Sequence, residues 1–305
     1  LKPGGIHWDE EMGAIPEMVY HNKPDNPPTI LFENIPGYPK GYKCLSGMVN
    51  SPRRLALTLG FDEPENVLDV VQSYRDRMKD FELIPPVEVS KDDLEAAPIY
   101  QNVDRDDDVD LYKFPAPFFH EEDGGRYIGT ANLVMMKDPD SDWINLGCYR
   151  VQAHDSRVAS VMTSKGKHGN QILAKYRERG EPCPVAVVLG MHPTLFMVAG
   201  MELPHGQDEY DIAGGLMGEA MPVISGPVTG LPIPARAEIA FEGYVHPDDL
   251  IDEGPLGEWA GYYASGAHKE PAIRIESLMH RDNPVLVGAA PGVPPNDNTF
   301  WRGPS

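Results

Sequence analysis

Three polar residues in the middle third of the chain carry donor atoms suited to a cation. Asn145 in NLGCYR, His168 in KGKHGN and Glu209 in QDEYD supply an amide oxygen, an imidazole nitrogen and a carboxylate. Such a mixture suits a divalent or monovalent cation that also holds a phosphate. Each residue alone has a plainer interpretation. Asn145 could serve a turn, His168 could solvate a helix start, and Glu209 could belong to an exposed acidic loop.

A second group of charged residues is interleaved with the first along the chain. Arg150 follows in NLGCYR, and Glu253 and Glu258 lie in EGPLGE. An arginine between two carboxylates can hold one acid ionised while the other is tuned for proton transfer. The two glutamates flank a Gly-Pro turn, which usually indicates the protein surface. The segment GPLGEWAGYY is otherwise short of charge and rich in aromatic residues, which favours burial.

The elements that must position these groups begin with an α/β pattern in the first third of the chain. Helical spacing covers residues from about 6 to 20, and PTILFENI is a short β-rich run. SPRRLALTLG predicts a helix that begins at Ser51, with Pro52 in its first turn. FDEPENVLDVVQSYRDRMKD predicts a second helix, capped by Asp62, whose apolar face consists of Val67, Val71, Tyr74 and Met78.

A change in composition marks the predicted domain boundary. Residues 85–110 are proline-rich and acidic, and we predict a linker there. From Leu111 onward, short β-like runs with glycine and proline turns predict a barrel or sandwich. One helix interrupts them at 169–179, with Gly180 as its stop. The β-like runs are YIGTANLVMMK, WINLGCYRVQAH, RVASVMTS, PVAVVLG, FMVAG, MPVISG, AEIAFEGYV, AIRIESLMH and PVLVGAAPG.

Composition favours a cytoplasmic enzyme. The 305 residues, 41% of them hydrophobic, suffice for two domains of ordinary size. Cys44, Cys148 and Cys183 are widely separated, so they offer neither a disulfide framework nor a CxxC motif. The net charge of -21 would repel nucleic acid and anionic membranes. We expect neither partner, because the chain also lacks an apolar run of membrane-spanning length, and its first residues do not resemble a signal peptide.

Six stretches follow one another over nearly the whole chain in a recognisable order. They are ILFENIPGY at 30–38, FPAPFFHEEDGGRYI at 114–128, MMKDPDSDWINLGCYRVQ at 135–152, KHGNQILAKYRERGEPCPVAVVLG at 167–190, IPARAEIAFEGYV at 233–245 and EGPLGEWAGYY at 253–263. With the asparagine-to-arginine and glutamate-to-glutamate gaps, they resemble the UbiD family of reversible decarboxylases, which use prenylated flavin mononucleotide (prenylated FMN). This order outweighs the plainer interpretations of the single residues.

The resemblance implies an α+β chain. Residues 1–110 would form an N-terminal α/β domain with the acidic linker at its end, and residues 111–305 a flavin-reductase-like split β-barrel. It also implies prenylated FMN, with Mn²⁺ or a similar divalent ion held by Asn145, His168 and Glu209, and K⁺ as a further candidate ion. The residues expected around the flavin are Asn145, Leu146, Gly147, Cys148, Tyr149, Arg150, Lys167, His168, Met201 and Glu209.

The resemblance further implies catalytic roles for Arg150, Glu253 and Glu258. Glu258 would protonate the carbon that has lost CO₂, and Glu253 would orient the arginine. Loss of CO₂ from an sp² carbon leaves electrons with no adjacent sink, so a cofactor must supply one. The predicted function is non-oxidative, reversible decarboxylation of an aromatic, heteroaromatic or α,β-unsaturated carboxylic acid.

Two alternatives stay open at the level of the sequence. One is a non-catalytic subunit that binds flavin and metal and relies on a partner chain for chemistry. The weaker one is an ordinary flavin reductase, in which the acid pair would be idle. Family members are considerably longer than a chain that ends at NTFWRGPS, so we expect a further domain. The expected assembly is a homo-oligomer, with a small carboxylic acid, CO₂ and a flavin prenyltransferase as partners.

Overall fold

The computed structural model describes residues 5–296. The terminal segment NTFWRGPS lies outside the described residues. The α-helices are α1 (Glu11–Asn22), α2 (Pro52–Leu59), α3 (Val67–Arg77), α4 (His168–Arg179), α5 (Pro193–Ala199) and α6 (Glu209–Met217). Short 3-10 helices occupy Met78–Asp80, Lys91–Ala96, Pro98–Tyr100, Asp106–Asp108 and Leu111–Lys113. No helix in the described part of the chain is long and apolar enough to cross a membrane.

The described residues also form fifteen strands. They are β1 (Ile30–Phe32), β2 (Lys43–Ser46), β3 (Val87–Glu88), β4 (Asn102–Arg105), β5 (Arg126–Gly129), β6 (Asn132–Lys137), β7 (Ile144–Gly147), β8 (Val151–Ala153), β9 (Val158–Val161), β10 (Cys183–Leu189), β11 (Pro222–Ser225), β12 (Pro232–Pro234), β13 (Ile239–Glu253), β14 (His268–His280) and β15 (Val285–Val287).

The largest sheet has nine strands and is antiparallel throughout. Its order is β5-β8-β9-β14-β13-β10-β6-β7, and β4 also pairs with β14. Two small sheets, β1-β2-β15 and β12-β11-β3, accompany it. Of the nine β-like runs predicted after residue 111, eight contain strands of these sheets. The predicted α+β class is therefore confirmed.

The central strands β6 and β10 are buried on both faces. Leu133 and Met135 of β6 face one apolar cluster, which also contains residues of α2 and α5. Val134 and Met136 face a second cluster, which contains residues of α4. Because successive side chains of a strand point to opposite faces, a strand covered on both sides must be a continuous apolar run. The runs LVMM and VAVV meet this requirement.

Two predicted helices end and begin as the sequence indicates. Ser51 caps α2, its side chain accepting a hydrogen bond from the backbone N–H of Arg54 at 3.4 Å, and Pro52 is the first helical residue. Helix α4 ends at Gly180, which takes a left-handed conformation with φ of 68°. A glycine adopts this conformation without the steric cost of a Cβ atom.

The predictions for α3 were wrong in two respects. Asn66, not Asp62, caps the helix, because Asn66 and Asp69 form a reciprocal capping box. The predicted apolar face is also wrong. Val67, Val71 and Met78 are exposed, and Val70 is the buried residue of the helix. Packing against the rest of the protein, rather than helical periodicity, selects the face that is buried.

The run FMVAG was predicted as a strand and is helical instead. It lies in α5, which begins with Pro193, and the side chain of His192 caps the helix by accepting a hydrogen bond from the N–H of Thr194 at 3.2 Å. All six residues of 194–199 are buried. Because a fully buried apolar run has no polar side to mark its period, strand and helix look alike in the sequence.

The domain boundary at residue 110 stays a prediction. Strand β4, which precedes it, pairs with β14 of the main sheet. Strand β15, far beyond it, pairs in parallel with β2 near the start of the chain. Strands before residue 110 therefore pair with strands after it in two different sheets.

Candidate active site

A cavity of about 440 Å³ opens where β7, α4, α5 and α6 meet. Nine of the ten residues predicted around the flavin line it, and the exception is Arg150. Its full lining is Asn145, Leu146, Gly147, Cys148, Tyr149, Lys165, Gly166, Lys167, His168, Ala199, Gly200, Met201, Glu202, Leu203 and Glu209. We refer to it as the flavin cavity. Sequence reasoning missed the contributions of Lys165 and Gly166, which directly precede the predicted Lys167.

The three predicted metal ligands reach the flavin cavity from three elements. Asn145 lies in β7, while His168 and Glu209 are the first residues of α4 and α6. Helix α6 begins there because Asp208 accepts a hydrogen bond from the N–H of Tyr210 at 2.8 Å. The N-termini of two helices thus lie at the same cavity, and the positive end of each helix dipole favours an anion there.

Glu209 has the donor chemistry that a cation requires. Its side chain is buried, and its Oε2 accepts a hydrogen bond from the backbone N–H of Leu146 at 3.2 Å. Burial raises the pKa of Glu209 to about 8. A buried carboxylate with one such partner is stabilised by a bound cation, so the residue fits the predicted metal. Among the described residues, no cluster of three or more His, Cys, Asp or Glu side chains could hold a metal. A site here would rely on Asn145 as well.

Two aromatic rings lie close to His168. The ring centroid of Trp143 lies 5.1 Å away, and that of His205 lies 5.7 Å away. Burial lowers the pKa of His168, which favours the neutral imidazole that metals bind. The indole N–H of Trp143 also donates to the carbonyl of Gln207 at 2.8 Å, which ties down the loop that leads to Glu209. Sequence reasoning did not assign Trp143 or His205 to the site.

Tyr149 is wedged between two glycines at the wall of the flavin cavity. Its hydroxyl accepts a hydrogen bond from the N–H of Gly169 at 3.0 Å, and Asn145 Nδ2 lies 3.5 Å away. A Cβ atom on Gly147 would lie 2.3 Å from the ring, and one on Gly169 would lie 2.8 Å from it. Both positions therefore require glycine so that Tyr149 can join β7 to the start of α4.

The two outermost predicted residues of the cavity differ in environment. Lys167 precedes α4 and forms an ion pair with Glu202, so its charge already has a partner. Met201 is exposed at the cavity mouth, after the end of α5. Met201 is therefore not part of the apolar core. Lys167 is half exposed, so it could contact a phosphate or remain a surface lysine.

The acid cluster consists of Arg150, Glu253 and Glu258. Arg150 lies in the short connection between β7 and β8, and Glu253 is the last residue of β13. The guanidinium binds the buried Glu253 carboxylate through two contacts, Nε to Oε1 at 2.9 Å and Nη2 to Oε2 at 2.7 Å. Its Nη1 lies 3.5 Å from Oε1 of Glu258, whose side chain is 33% exposed. One arginine therefore contacts both acids, as the sequence predicts.

The charges in the acid cluster stabilise one another. Burial, which lowers the pKa of Arg150, is outweighed by the hydrogen bonds and charge of Glu253, so the pKa is raised. Sequence reasoning missed Tyr127 of β5, whose hydroxyl donates to Glu253 Oε1 at 2.9 Å. Burial, and after it the charge of Glu253, raises the pKa of Tyr127, so the tyrosine hydroxyl remains a neutral donor. The tyrosine in GGRYI gave no signal of this role.

A second cavity of about 150 Å³ joins the two halves of the site. Cys148 and Tyr149 line both this space and the flavin cavity, and Arg150 and Glu258 line its other side. We call it the acid cavity. Its remaining lining is mostly apolar and includes Phe196, Leu256, Trp259, Ala289 and Pro291. A flat organic acid placed here would contact the arginine and the second glutamate while resting against apolar walls.

Two family models match the chain. One describes a 3-octaprenyl-4-hydroxybenzoate carboxy-lyase Rift-related domain and matches residues 90–294. The other describes the N-terminal domain of the same carboxy-lyase and matches residues 4–74. The chain belongs to the UbiD family. The resemblance seen in the sequence motifs is thereby confirmed.

Characterised relatives in this UbiD family have decarboxylase names. The chain is 34% identical over 301 residues to the pyrrole-2-carboxylic acid decarboxylase of Pseudomonas aeruginosa. The matched region covers 95% of this chain and 58% of that protein. The chain thus spans little more than half the length of the curated relatives it matches.

Solved structures of UbiD-class enzymes share the fold. The vanillic acid decarboxylase of Sedimentibacter hydroxybenzoicus in its closed form gives a TM-score of 0.89 at 28% identity, over 97% of this chain and 62% of that one. HmfF from Pelotomaculum thermopropionicum, in complex with prFMN, gives 0.84 at 23% identity, over 98% of this chain and 65% of that one. The split β-barrel within an α+β fold is confirmed by these neighbours.

Proposed function

We propose that this chain carries the catalytic part of a UbiD-type carboxy-lyase that removes CO₂ from an aromatic or heteroaromatic carboxylic acid. The observation that carries the proposal is the Arg150 guanidinium, held by two contacts to Glu253 and lying 3.5 Å from Glu258 at a cavity that adjoins the flavin cavity. A module that only binds flavin and metal does not require this group of an arginine and two glutamates. The decarboxylase names of the relatives support the same reaction class.

We propose prenylated FMN as the cofactor. Its phosphate would lie at the start of α4, near Lys167, and Mn²⁺ or a similar ion would be held by Asn145, His168 and Glu209. The fit rests on the donor set of the cavity, in which a buried carboxylate has a raised pKa and an imidazole a lowered one. When bound, the prenylated flavin supplies the electron sink that the departing CO₂ requires. K⁺ is proposed as a second ion without a residue assignment.

The residues of the acid cavity would perform the proton chemistry. The Arg150 guanidinium attracts the substrate carboxylate and sets the position of Glu258. Glu253 and Tyr127 fix the arginine in turn, so that its position is set before the substrate arrives. After the C–C bond breaks and CO₂ leaves, Glu258 gives its proton to the same carbon and forms the new C–H bond. The apolar walls keep water from competing as the proton source.

Further parts of the proposal concern partners and compartment. We propose that a flavin prenyltransferase supplies the cofactor, that the protein acts in the cytoplasm, and that it forms a homo-oligomer. The absence of a membrane-crossing helix among the described residues is compatible with this compartment.

The proposal is tested by coexpressing the holoenzyme with a flavin prenyltransferase and measuring the absorbance and mass of the bound flavin. Pyrrole-2-carboxylic acid, vanillic acid and ferulic acid then form a first panel, with CO₂ release as the readout. We expect bound prenylated FMN and release of CO₂ from at least one aromatic acid. Flavin binding without turnover on a broad panel would favour the non-catalytic subunit instead.

A further inference from the structure

The loop that carries Glu258 is anchored by a buried carboxylate outside the predicted site. Asp123 accepts hydrogen bonds at Oδ1 from the N–H of Gly257 at 2.9 Å and from the Tyr263 hydroxyl at 3.0 Å. The neighbouring Gly124 donates its N–H to the carbonyl of Pro255 at 2.7 Å. The segment HEEDGG therefore holds the Gly-Pro turn on the side away from the flavin cavity.

His120 begins this segment and packs against Gly257, the residue before Glu258. Its Nδ1 has no solvent exposure and no hydrogen-bond partner within the described structure. Nδ1 lies 3.6 Å from Oδ2 of Asp123, and a Cβ atom on Gly257 would lie 2.9 Å from it. The side chain as a whole is 27% exposed. One face of the imidazole is thus enclosed against the catalytic loop, while the ring still reaches solvent.

A third cavity, of about 150 Å³, is lined by both this histidine and the proposed proton donor, and we call it the rear cavity. Its lining includes Glu17, His120, Glu258, Tyr262 and Tyr263. Glu258 also lines the acid cavity, so this residue borders both cavities. The volume is sufficient for several waters, and the lining offers the polar partners that waters require.

We propose that His120, whose backbone N–H donates to Asp123 Oδ2 at 3.0 Å, returns a proton to Glu258 after each turnover through water in this rear cavity. The inference rests on the proposed function. Decarboxylation consumes one proton per product, because the Glu258 O–H bond breaks as the product C–H bond forms. In the return step an N–H bond of the His120 imidazolium breaks and the Glu258 O–H bond re-forms. His120 then takes a proton from solvent, so each cycle uses one proton from bulk water.

The charges around His120 support its role as a proton reservoir. The adjacent Asp123 carboxylate raises the pKa of His120, burial opposes this effect, and Glu17 of α1 adds to the increase. Tyr263 and Glu258 are the other titratable groups that face the rear cavity. Tyr262 also faces this cavity. Since the protonated form of His120 is the donor, the supply is complete below the raised pKa and falls as pH rises through it.

His120→Gln tests the proposal in the holoenzyme, because glutamine keeps a polar side chain and cannot supply a titratable proton. Single turnover, measured with enzyme in excess, should stay within about twofold, since in the proposed cycle His120 acts only after the first product has formed. Steady-state turnover of the best panel acid should fall about tenfold, less than the roughly 10²- to 10⁴-fold effect of a direct general acid. The loss of rate at high pH should disappear from the profile.

Two further variants keep the test decisive. His120→Ala leaves a space for free imidazole, which should restore steady-state turnover. His154→Gln is the matched control, because His154 is also half-buried but bonds to the Ser160 hydroxyl at 2.8 Å instead; both phases should be unchanged. The relay would be overturned if His120→Gln lost single turnover and steady-state turnover equally and imidazole did not rescue His120→Ala. It would also be overturned if His120→Gln lost neither rate. A wild-type holoenzyme without any turnover would overturn the proposed function itself, so the two failures are distinguishable.

Discussion

The flavin cavity and the acid cluster differ in how their polar groups are satisfied. In the acid cluster, Glu253 is fully buried but is bound by Arg150 at two atoms and by Tyr127. In the flavin cavity, the buried Glu209 accepts one backbone hydrogen bond and has a pKa raised to about 8. The acid cluster is therefore complete within the protein. The flavin cavity instead contains a carboxyl group whose raised pKa favours the neutral form until a cation binds.

The difference has an energetic consequence. A buried ion pair is costly to break from one side, because the remaining charge keeps its desolvation penalty and loses its partner. A buried carboxyl with a raised pKa avoids that penalty by holding its proton until a cation arrives. We therefore expect substitutions in the acid cluster to affect folding and chemistry, and substitutions in the flavin cavity to affect ligand content.

The largest effect on stability is expected for Arg150→Gln. It leaves the Glu253 carboxylate buried without its cation, which should cost about 3–5 kcal/mol in the free energy of unfolding. Turnover should also be lost, while any folded fraction still binds flavin. Urea unfolding measures the first effect. Arg157→Gln is the control, because Arg157 pairs with Asp107 at 3.6 Å on the surface, where a pair contributes at most about 1 kcal/mol. Equal stability of the two variants would erase the distinction between the two regions.

The next effect is expected for Glu209→Gln. Removal of the carboxylate should weaken cation binding by at least about tenfold and lower flavin content with it, since the cation bridges protein and phosphate. Metal analysis and flavin absorbance of the purified protein measure both. Asp211→Asn is the control in the same first turn of α6. Full retention of metal and flavin in Glu209→Gln would show that the cavity does not need this ligand.

The smallest effect is expected for Tyr127→Phe, which keeps the ring and removes one hydrogen bond to Glu253. Arg150 still holds the carboxylate, so the cost should be about 1–3 kcal/mol, with a few-fold loss of turnover. Tyr112→Phe, which removes a bond to the Ala153 carbonyl at 3.3 Å, should leave turnover unchanged. If Tyr127→Phe were as damaging as Arg150→Gln, the tyrosine rather than the arginine would dominate the cluster.

Short-range signals in the sequence were sufficient where a residue acts on its own neighbours. Ser51 caps α2, and Gly180 ends α4, because each serves the backbone a few residues away. The correct cap of α3 could also have been predicted from the sequence, since Asn66 and Asp69 have the spacing of a capping box. The same was not true of FMVAG, whose helical form depends on burial against other elements.

The structure brings the predicted site residues together, whereas several residues that support them were not predicted. Nine of the ten predicted residues line one cavity. They were chosen from the resemblance to a family, which carries information about contacts between distant residues that the spacing of residues alone does not. Tyr127 and Asp123 were missed, since they act across 126 and 134 residues of chain through single hydrogen bonds. Nothing in GGRYI or HEEDGG distinguishes such long-range partners from ordinary turn and strand residues.

Glu258→Gln tests the central claim most directly. The variant should retain prenylated FMN, because Glu258 lies outside the flavin cavity, and should lose decarboxylation by several orders of magnitude, at least the roughly 10²- to 10⁴-fold contribution of a general acid. Deuterium exchange from solvent into the product should be lost with it, since both need the same proton transfer. Flavin content, CO₂ release and deuterium exchange are measured on one preparation. Near wild-type decarboxylation by Glu258→Gln would contradict the account, because Glu258 would then be only a turn residue.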